Sequence, residues 1–473
     1  MLFNSIQFLV FFVVVTTAYF LLPHRFRWFL LLVASCVFYA AFIPIYLVIL
    51  FGTIIIDYIA GIQIEHATGA RRKYFLVLSL VANIGVLAVF KYYNFLTDNV
   101  NFLLHQLHIT AHGLAYLSIA LPIGLSFHTF QAMSYTIEVY RGNVPAERNF
   151  GIYVLYVMFY PQLVAGPIER PQAILHQFYE KKEFDFDRVI TGLERMLWGL
   201  FKKVVVSDLL AIYVNSIYNH HKANTGFTLL LATYAFAFQI YCDFSGYSDI
   251  ALGTAQVMGF KLMENFNLPY FSKSITEFWR RWHISLSSWL RDYLYISLGG
   301  NRKGMTKTYR NLMLTMLLGG LWHGASWNFV VWGFLNGAYL SIEKMLGIET
   351  NLGAHYSLPY KMLRVFVTFN LVCLTWVFFR AASFQQALYI VSHIFNPVGF
   401  WNLRIQDTGI FASMTLGVLL LLLLEYAYLR RHRIAEISPS RNWHRPMAFS
   451  VILILLIVGF GVSGGDQFIY FQF

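Results

Sequence analysis

Residues 317–332 read LLGGLWHGASWNFVVW, and His323 is the only ionisable side chain in this otherwise apolar stretch. An ionisable group at membrane depth is costly and by default functional. Gly319, Gly320 and Gly324 would let backbone or ligand come close to it, with Trp322 and Asn328 as candidate walls of the site. The competing reading is a histidine satisfied within the fold. A second histidine, His283, follows Arg280, Arg281 and Trp282, and it too is either a structural residue or a group on a reaction path. Arg280, Arg281, Arg291 and Arg302 either mark a cytoplasmic segment or bind an anionic, phosphate-bearing ligand. A third constellation, YCDFSGYSD at residues 241–249, groups Asp243, Ser245, Tyr247 and Asp249 around Gly246. It is a solvated turn at the end of a span or a hydrogen-bonded wall behind a catalytic group. Ser245 lacks the G-x-S-x-G elbow of a nucleophilic serine. His105, His108 and His112 share a helical spacing, but three histidines without a carboxylate make a weak metal set, and an exposed polar loop is the preferred reading.

These residues need elements to hold them. Of the 473 residues 58% are hydrophobic and only 12% charged, which excludes an ordinary soluble enzyme. Uncharged runs such as residues 8–22, 29–42 and 414–424 recur along the chain and suit helices crossing a hydrocarbon core of ~30 Å. The expectation is an all-α polytopic membrane protein. It forms one domain over residues 1–473, with about ten to twelve crossings and re-entrant pieces. The first run reads as a retained span rather than a signal peptide. The scattered Cys36, Cys242 and Cys373 fit neither disulfides nor a zinc site.

The net charge is 35 − 23 = +12, and in a membrane protein such an excess reports cytoplasmic loops before nucleic acid. Arg25 and Arg27, then Arg71, Arg72 and Lys73, fall where alternate loops lie if the N-terminus is outside. Residues 92–140 contain no Lys or Arg, which puts the loop around Asp98 to Gly113 outside. Basic residues flank both ends of residues 150–164, so this apolar stretch reads as re-entrant or interfacial. Residues 273–310 hold eight Lys/Arg against Glu277 and Asp292 and form a cytoplasmic basic segment. Arg430, Arg431, Arg433, Arg441 and Arg445 mark a last inside loop, leaving the C-terminus outside. Within the basic segment, Ser274 and Glu277 fit a capping box. The spacing then predicts an amphipathic helix lying in the interface, with Trp279, Trp282, His283, Leu286 and Leu290 on its apolar side.

At these residues the sequence resembles the membrane-bound O-acyltransferase superfamily, and within it the bacterial alginate O-acetyltransferase-like branch. The stretches that carry the resemblance are LPIGLSFHTFQAMSY from Leu121, AGPIERP from Ala165, YCDFSGYSDIALG from Tyr241 and MENFNLPY from Met263. They continue with ITEFWRRWHISLSSWLRDYLYISLGGNR from Ile275, LTMLLGGLWHGASWNF from Leu314, WVFFRA from Trp376 and FIYFQF from Phe468. The resemblance implies a helical fold pinched into two funnels that meet in a thin centre. It implies that His323 is catalytic, and it assigns His283 to a second motif position where the wider superfamily often has Asn or Asp.

The implied chemistry is acyl transfer to an alcohol, with neutral imidazole as general base. No tightly bound cofactor or metal is expected; cytosolic acetyl-CoA is the implied donor, its phosphates meeting Arg280, Arg281, Arg291 or Arg302. The implied setting is the bacterial inner membrane; the charge pattern alone gives both termini as extracytoplasmic. A polysaccharide is the acceptor, an exported or periplasmic transferase the partner, and nucleic acid has no part. D-alanyl transfer to teichoic acid from a carrier protein and peptidoglycan O-acetylation are the alternatives within acyl transfer. A transporter with broken helices is the alternative outside it.

Overall fold

The computed structural model describes residues 1–473 except 110–112, 119–121, 123, 165, 225, 349–355, 397–407, 438–443, 463–467 and 470–473. At 410, 427–437 and 444–446 it describes the backbone alone. His112, Leu121, Ala165, Arg441 and the last four residues of FIYFQF lie outside the described residues, as do the side chains of Arg430, Arg431, Arg433 and Arg445.

Among the described residues every regular element is helical. Four helices there are long and apolar enough to cross a bilayer: Tyr46–His66, Gly69–Gln106, Phe227–Met258 and Leu358–Arg380. Ile6–Leu21, Phe411–Tyr426 and Met447–Phe460 are apolar but shorter. Side chains such as Leu9, Val14, Val81, Leu96, Leu419 and Leu455 are exposed on these helices, an apolar exterior that suits lipid rather than water. The chain is an all-helical, multi-pass membrane protein.

Residues 98–106, expected in a loop, are instead helical. Tyr93–Gln106 continues the Gly69–Leu87 helix through a widened turn at Ala88–Tyr92. No Pro or Gly interrupts residues 86–106, so nothing in the side chains stops the helix. His105 lies in the last turn of this helix, which ends at Gln106, and His108 follows it with a left-handed backbone (φ 55°), so they do not share a helical face.

The stretch at 150–164 is too short to cross. Phe150–Met158, nine residues or about 13 Å long, breaks at Phe159 and resumes as Tyr160–Leu163. Residues 152–160 are all buried in protein. Its free backbone groups are met by side chains: Tyr156 O accepts from Gln131 Nε2 (3.0 Å) and Gln162 Nε2 (2.6 Å), and Tyr160 N donates to Ser35 Oγ (3.1 Å). Broken backbone at membrane depth requires such partners.

YCDFSGYSD lies inside the 32-residue helix Phe227–Met258, not at its end. The stretch is therefore not a solvated turn, and Gly246 serves helix packing against Phe186–Leu200. A Cβ on Gly199 would stand 2.5 Å from Gly246 O, and one on Gly253 would stand 2.5 Å from Gly192 O. Small residues two turns apart on each helix let the backbones touch. On the same side Asp249 accepts from Arg195 (3.0 Å) and Lys202, while Lys203 bridges Asp208 (2.9 Å) and Asp243 (2.8 Å). Buried charges are tolerated only when paired in this way.

Candidate active site

His323 is the last residue of Met305–His323, which turns at Gly324 and returns as Trp327–Met345. The two helices approach so closely that a Cβ on Gly320 would lie 2.3 Å from Phe329 O, and one on Gly324 would overlap the Phe329 ring at 2.0 Å. The glycines flanking the histidine are thus needed for the hairpin itself, while Gly319 lines the adjoining cavity. The imidazole is held edge-on to Trp332 (4.9 Å between ring centres) and Phe379 (5.2 Å), with Trp322 at 5.0 Å. The end of its helix is capped from far away in sequence. Lys91 Nζ donates to Trp322 O (2.7 Å) and His323 O (2.9 Å), and Tyr92 OH donates to Leu321 O (2.7 Å). Donors on the last carbonyls satisfy the acceptors that the end of a helix leaves open.

His283 does not sit on a continuous amphipathic helix. Ser274 does start a helix, its Oγ accepting from Glu277 N at 3.0 Å, but Ile275–Arg281 ends there. The chain passes through an extended Trp282 and a left-handed His283 (φ 43°) before Ile284–Trp289 begins. The break is fastened by Asn265, whose backbone O accepts from Ile284 N (2.9 Å). Its Oδ1 accepts from Ser285 N (3.2 Å), Ser285 Oγ (3.0 Å) and His283 Nδ1 (3.1 Å). An amide oxygen only accepts, so in this contact Nδ1 is the donor. The histidine is fully buried, packed on Phe244 (4.6 Å) and within 6.2 Å of Trp322, the ring that also touches His323. Trp322 therefore stands between the two histidines, stacked on Phe130.

A cavity of about 590 Å³ opens on His323. Its lining includes Arg280, Arg291, Lys344 and Trp332, so two of the four arginines and the histidine share one space. The basic helix is locked to the histidine hairpin by Glu343 of Trp327–Met345, which accepts from Ile275 N (2.5 Å), Thr276 N (2.9 Å) and Thr276 Oγ1 (2.9 Å). The other two arginines are elsewhere. Arg281 pairs with Glu277 (2.7 Å) and lines a different cavity, and Arg302 is exposed and outside both linings.

The expected wall residues divide by helical face. Asp243 and Asp249 are committed to the cations named above, and Asp243 also receives Ile469 N (2.6 Å). Tyr247 packs on Phe468 (4.4 Å), and Ser245 is buried beside them. From this helix Phe244 packs directly on His283, and Ser248 Oγ accepts from Nδ2 of Asn265 (3.3 Å), the residue that holds His283. Asn328 ties the hairpin to Ala381 O (2.8 Å) rather than lining the cavity. Sequence reasoning missed Asn265, Lys91 and Glu343; only Asn265 lay inside a quoted motif.

Residues 145–379 match the family model of MBOAT, the membrane-bound O-acyltransferase family. The probable alginate O-acetylase of Pseudomonas putida is 39% identical over 497 residues, which cover 100% of each chain. The chain belongs to the membrane-bound O-acyltransferase family. It is an O-acyltransferase, which sets aside the transport reading. The peptidoglycan O-acetyltransferase of Helicobacter pylori is 32% identical over 94% of this chain and 91% of its own. A teichoic acid D-alanyltransferase of Streptococcus thermophilus is 28% identical over 54% of this chain and 68% of its own. Within this O-acyltransferase the matched region contains both histidines, the Asn265 fastening and the cavity-lining arginines.

Proposed function

We propose that this O-acyltransferase takes an acetyl group from cytosolic acetyl-CoA and passes it across the inner membrane to hydroxyls of an extracytoplasmic polysaccharide. An exported transferase completes the delivery. The observation that carries the reading is the shared cavity, with His323 on its wall and Arg280 and Arg291 on the same lining. Guanidinium groups suit phosphates, and about 590 Å³ is ample for the thioester arm of a coenzyme. In the reaction the acceptor oxygen attacks the thioester carbonyl carbon as His323 takes the hydroxyl proton. The C–S bond then breaks and the proton passes to the departing thiolate, so free thiol appears with each ester formed. His283, oriented by Asn265, holds Trp322 and the inner wall.

The polysaccharide acceptor rests on the names of the relatives that align over the full chain, the alginate and peptidoglycan enzymes. The D-alanyl reading, with a carrier protein as donor, rests on a match over about half of the chain. The charge pattern supports cytoplasmic residues 273–310 and extracytoplasmic termini. Membranes containing the full chain and its exported partner, given acetyl-CoA and the polysaccharide, are expected to release thiol in step with ester formation. Ester formed only from an aminoacylated carrier would replace the donor. An active cytoplasmic reporter at either terminus, with export seen at Arg302, would reverse the orientation.

A further inference from the structure

Arg281 opens a question that the donor cavity does not answer, because it lines a second cavity of about 720 Å³. This space lies between Phe227–Met258, the Pro269–Phe271 turn and Leu358–Arg380. Neither histidine and no arginine of the first cavity lines it. Its walls are apolar, with Phe238, Phe366 and Leu422 among them, and its basic lining residues are Lys273, Arg281 and Lys361. Lys273 and Lys361 are brought together by Arg364, one turn beyond Lys361, whose Nε donates to Lys273 O at 2.9 Å. Arg281 approaches from the end of the basic helix, its Nη1 donating to Asn267 O at 3.4 Å. Two acids are close: Glu277, which pairs with Arg281, and Glu425, which takes the Tyr241 hydroxyl at the inner wall. Three cations against these two acids leave a rim of net charge +1 above an apolar groove.

We propose that this second cavity is a binding site for an anionic phospholipid. The headgroup phosphate would lie among Lys273, Arg281 and Lys361, and an acyl chain along Phe238, Phe366 and Leu422. The chemistry requires both halves. A soluble phosphate would leave the apolar walls uncovered, and a zwitterionic lipid would bring a fourth cation to a rim that already holds three. Basic pockets between membrane helices on the cytoplasmic side favour anionic headgroups, at roughly fivefold in affinity per Lys or Arg. Arg281 is thereby a lipid ligand rather than a donor ligand, and its neighbour Arg280 serves the other cavity.

The test uses the purified full chain in detergent, titrated with dioleoyl phosphatidylglycerol, dioleoyl phosphatidylethanolamine and glycerol phosphate. Retention is read by native mass spectrometry and Tm shift. Phosphatidylglycerol is expected to bind at least about tenfold more tightly than phosphatidylethanolamine, and glycerol phosphate is expected to give no shift. Lys273→Gln/Lys361→Gln should bring phosphatidylglycerol down to the phosphatidylethanolamine level while leaving the latter unchanged. Lys361→Gln alone, on the first turns of its helix, should lose about fivefold and guards against misfolding of the double variant. Equal retention of the two lipids, an equal shift with glycerol phosphate, or wild-type preference in both variants would overturn the proposal.

Discussion

The two cavities flank one short helix and take consecutive residues from it. Arg280 lines the space that holds His323, and Arg281 lines the apolar groove. Neighbours on an α-helix point about 100° apart, so a basic doublet cannot serve one ligand when its helix is wedged between two spaces. The first cavity brings together a histidine, cations and a hairpin whose end is capped by Lys91; the second offers cations and hydrocarbon walls. A cluster of like charges in sequence is therefore divided between two cavities in space, and of the two only the first is lined by a histidine.

The sharpest way to break that contrast is to remove the proton acceptor. His323→Ala and His323→Gln should lower acyl transfer by roughly 10²–10⁴-fold, the range expected of a general base, with the proteins inserted at normal abundance. Transfer near the wild-type rate in either would end the assignment of the base. Asn265→Ala removes the acceptor for three donors at the His283 break. It should reduce kcat about tenfold with the KM for acetyl-CoA unmoved. A changed KM alone would put Asn265 in donor binding instead. His283→Ala should fall between these two, since it keeps the hairpin and loses the ring against Trp322.

The arginines sharpen the comparison further. Arg280→Ala and Arg291→Ala should each raise the KM for acetyl-CoA by about tenfold, the worth of a charge-assisted hydrogen bond to phosphate. Arg281→Ala should change it by less than about twofold. Equal effects at 280 and 281 would merge the two cavities into one functional unit. The smallest expected effect is at Arg302, exposed and outside both linings, where Ala should leave donor saturation as it is.

Several features were legible before any fold was known, because each depends on residues close in sequence. The apolar runs, the cap at Ser274, the failure of residues 150–164 to cross and the isolation of His323 among apolar neighbours are of this kind, although the stretch read as one apolar run turns at Gly324 into two helices. The wall at 241–249 was half legible. The polar residues that alternate there are Asp243, Ser245, Tyr247 and Asp249, but the helical period turns Phe244 to His283 and Ser248 to Asn265. Asp243 and Asp249 go to Lys203, Lys202 and Arg195. Gly246 left a turn open as one of two readings, since a helix contact and a turn ask the same thing of a side chain, namely its absence.

By itself the sequence determined a helical membrane protein with a histidine set where ionisable groups are expensive, and the motifs that marked its family. Tertiary structure decided which side chains share a cavity. Lys91 caps a helix that ends at residue 323, Glu343 caps one that begins at 275, and Asn265 bends the chain at 283 into a backbone conformation no local propensity favours. Each of these joins segments that are distant along the chain. Helical period and hydropathy are local quantities, and they carry no information about which distant carbonyl a buried donor must find once water is gone.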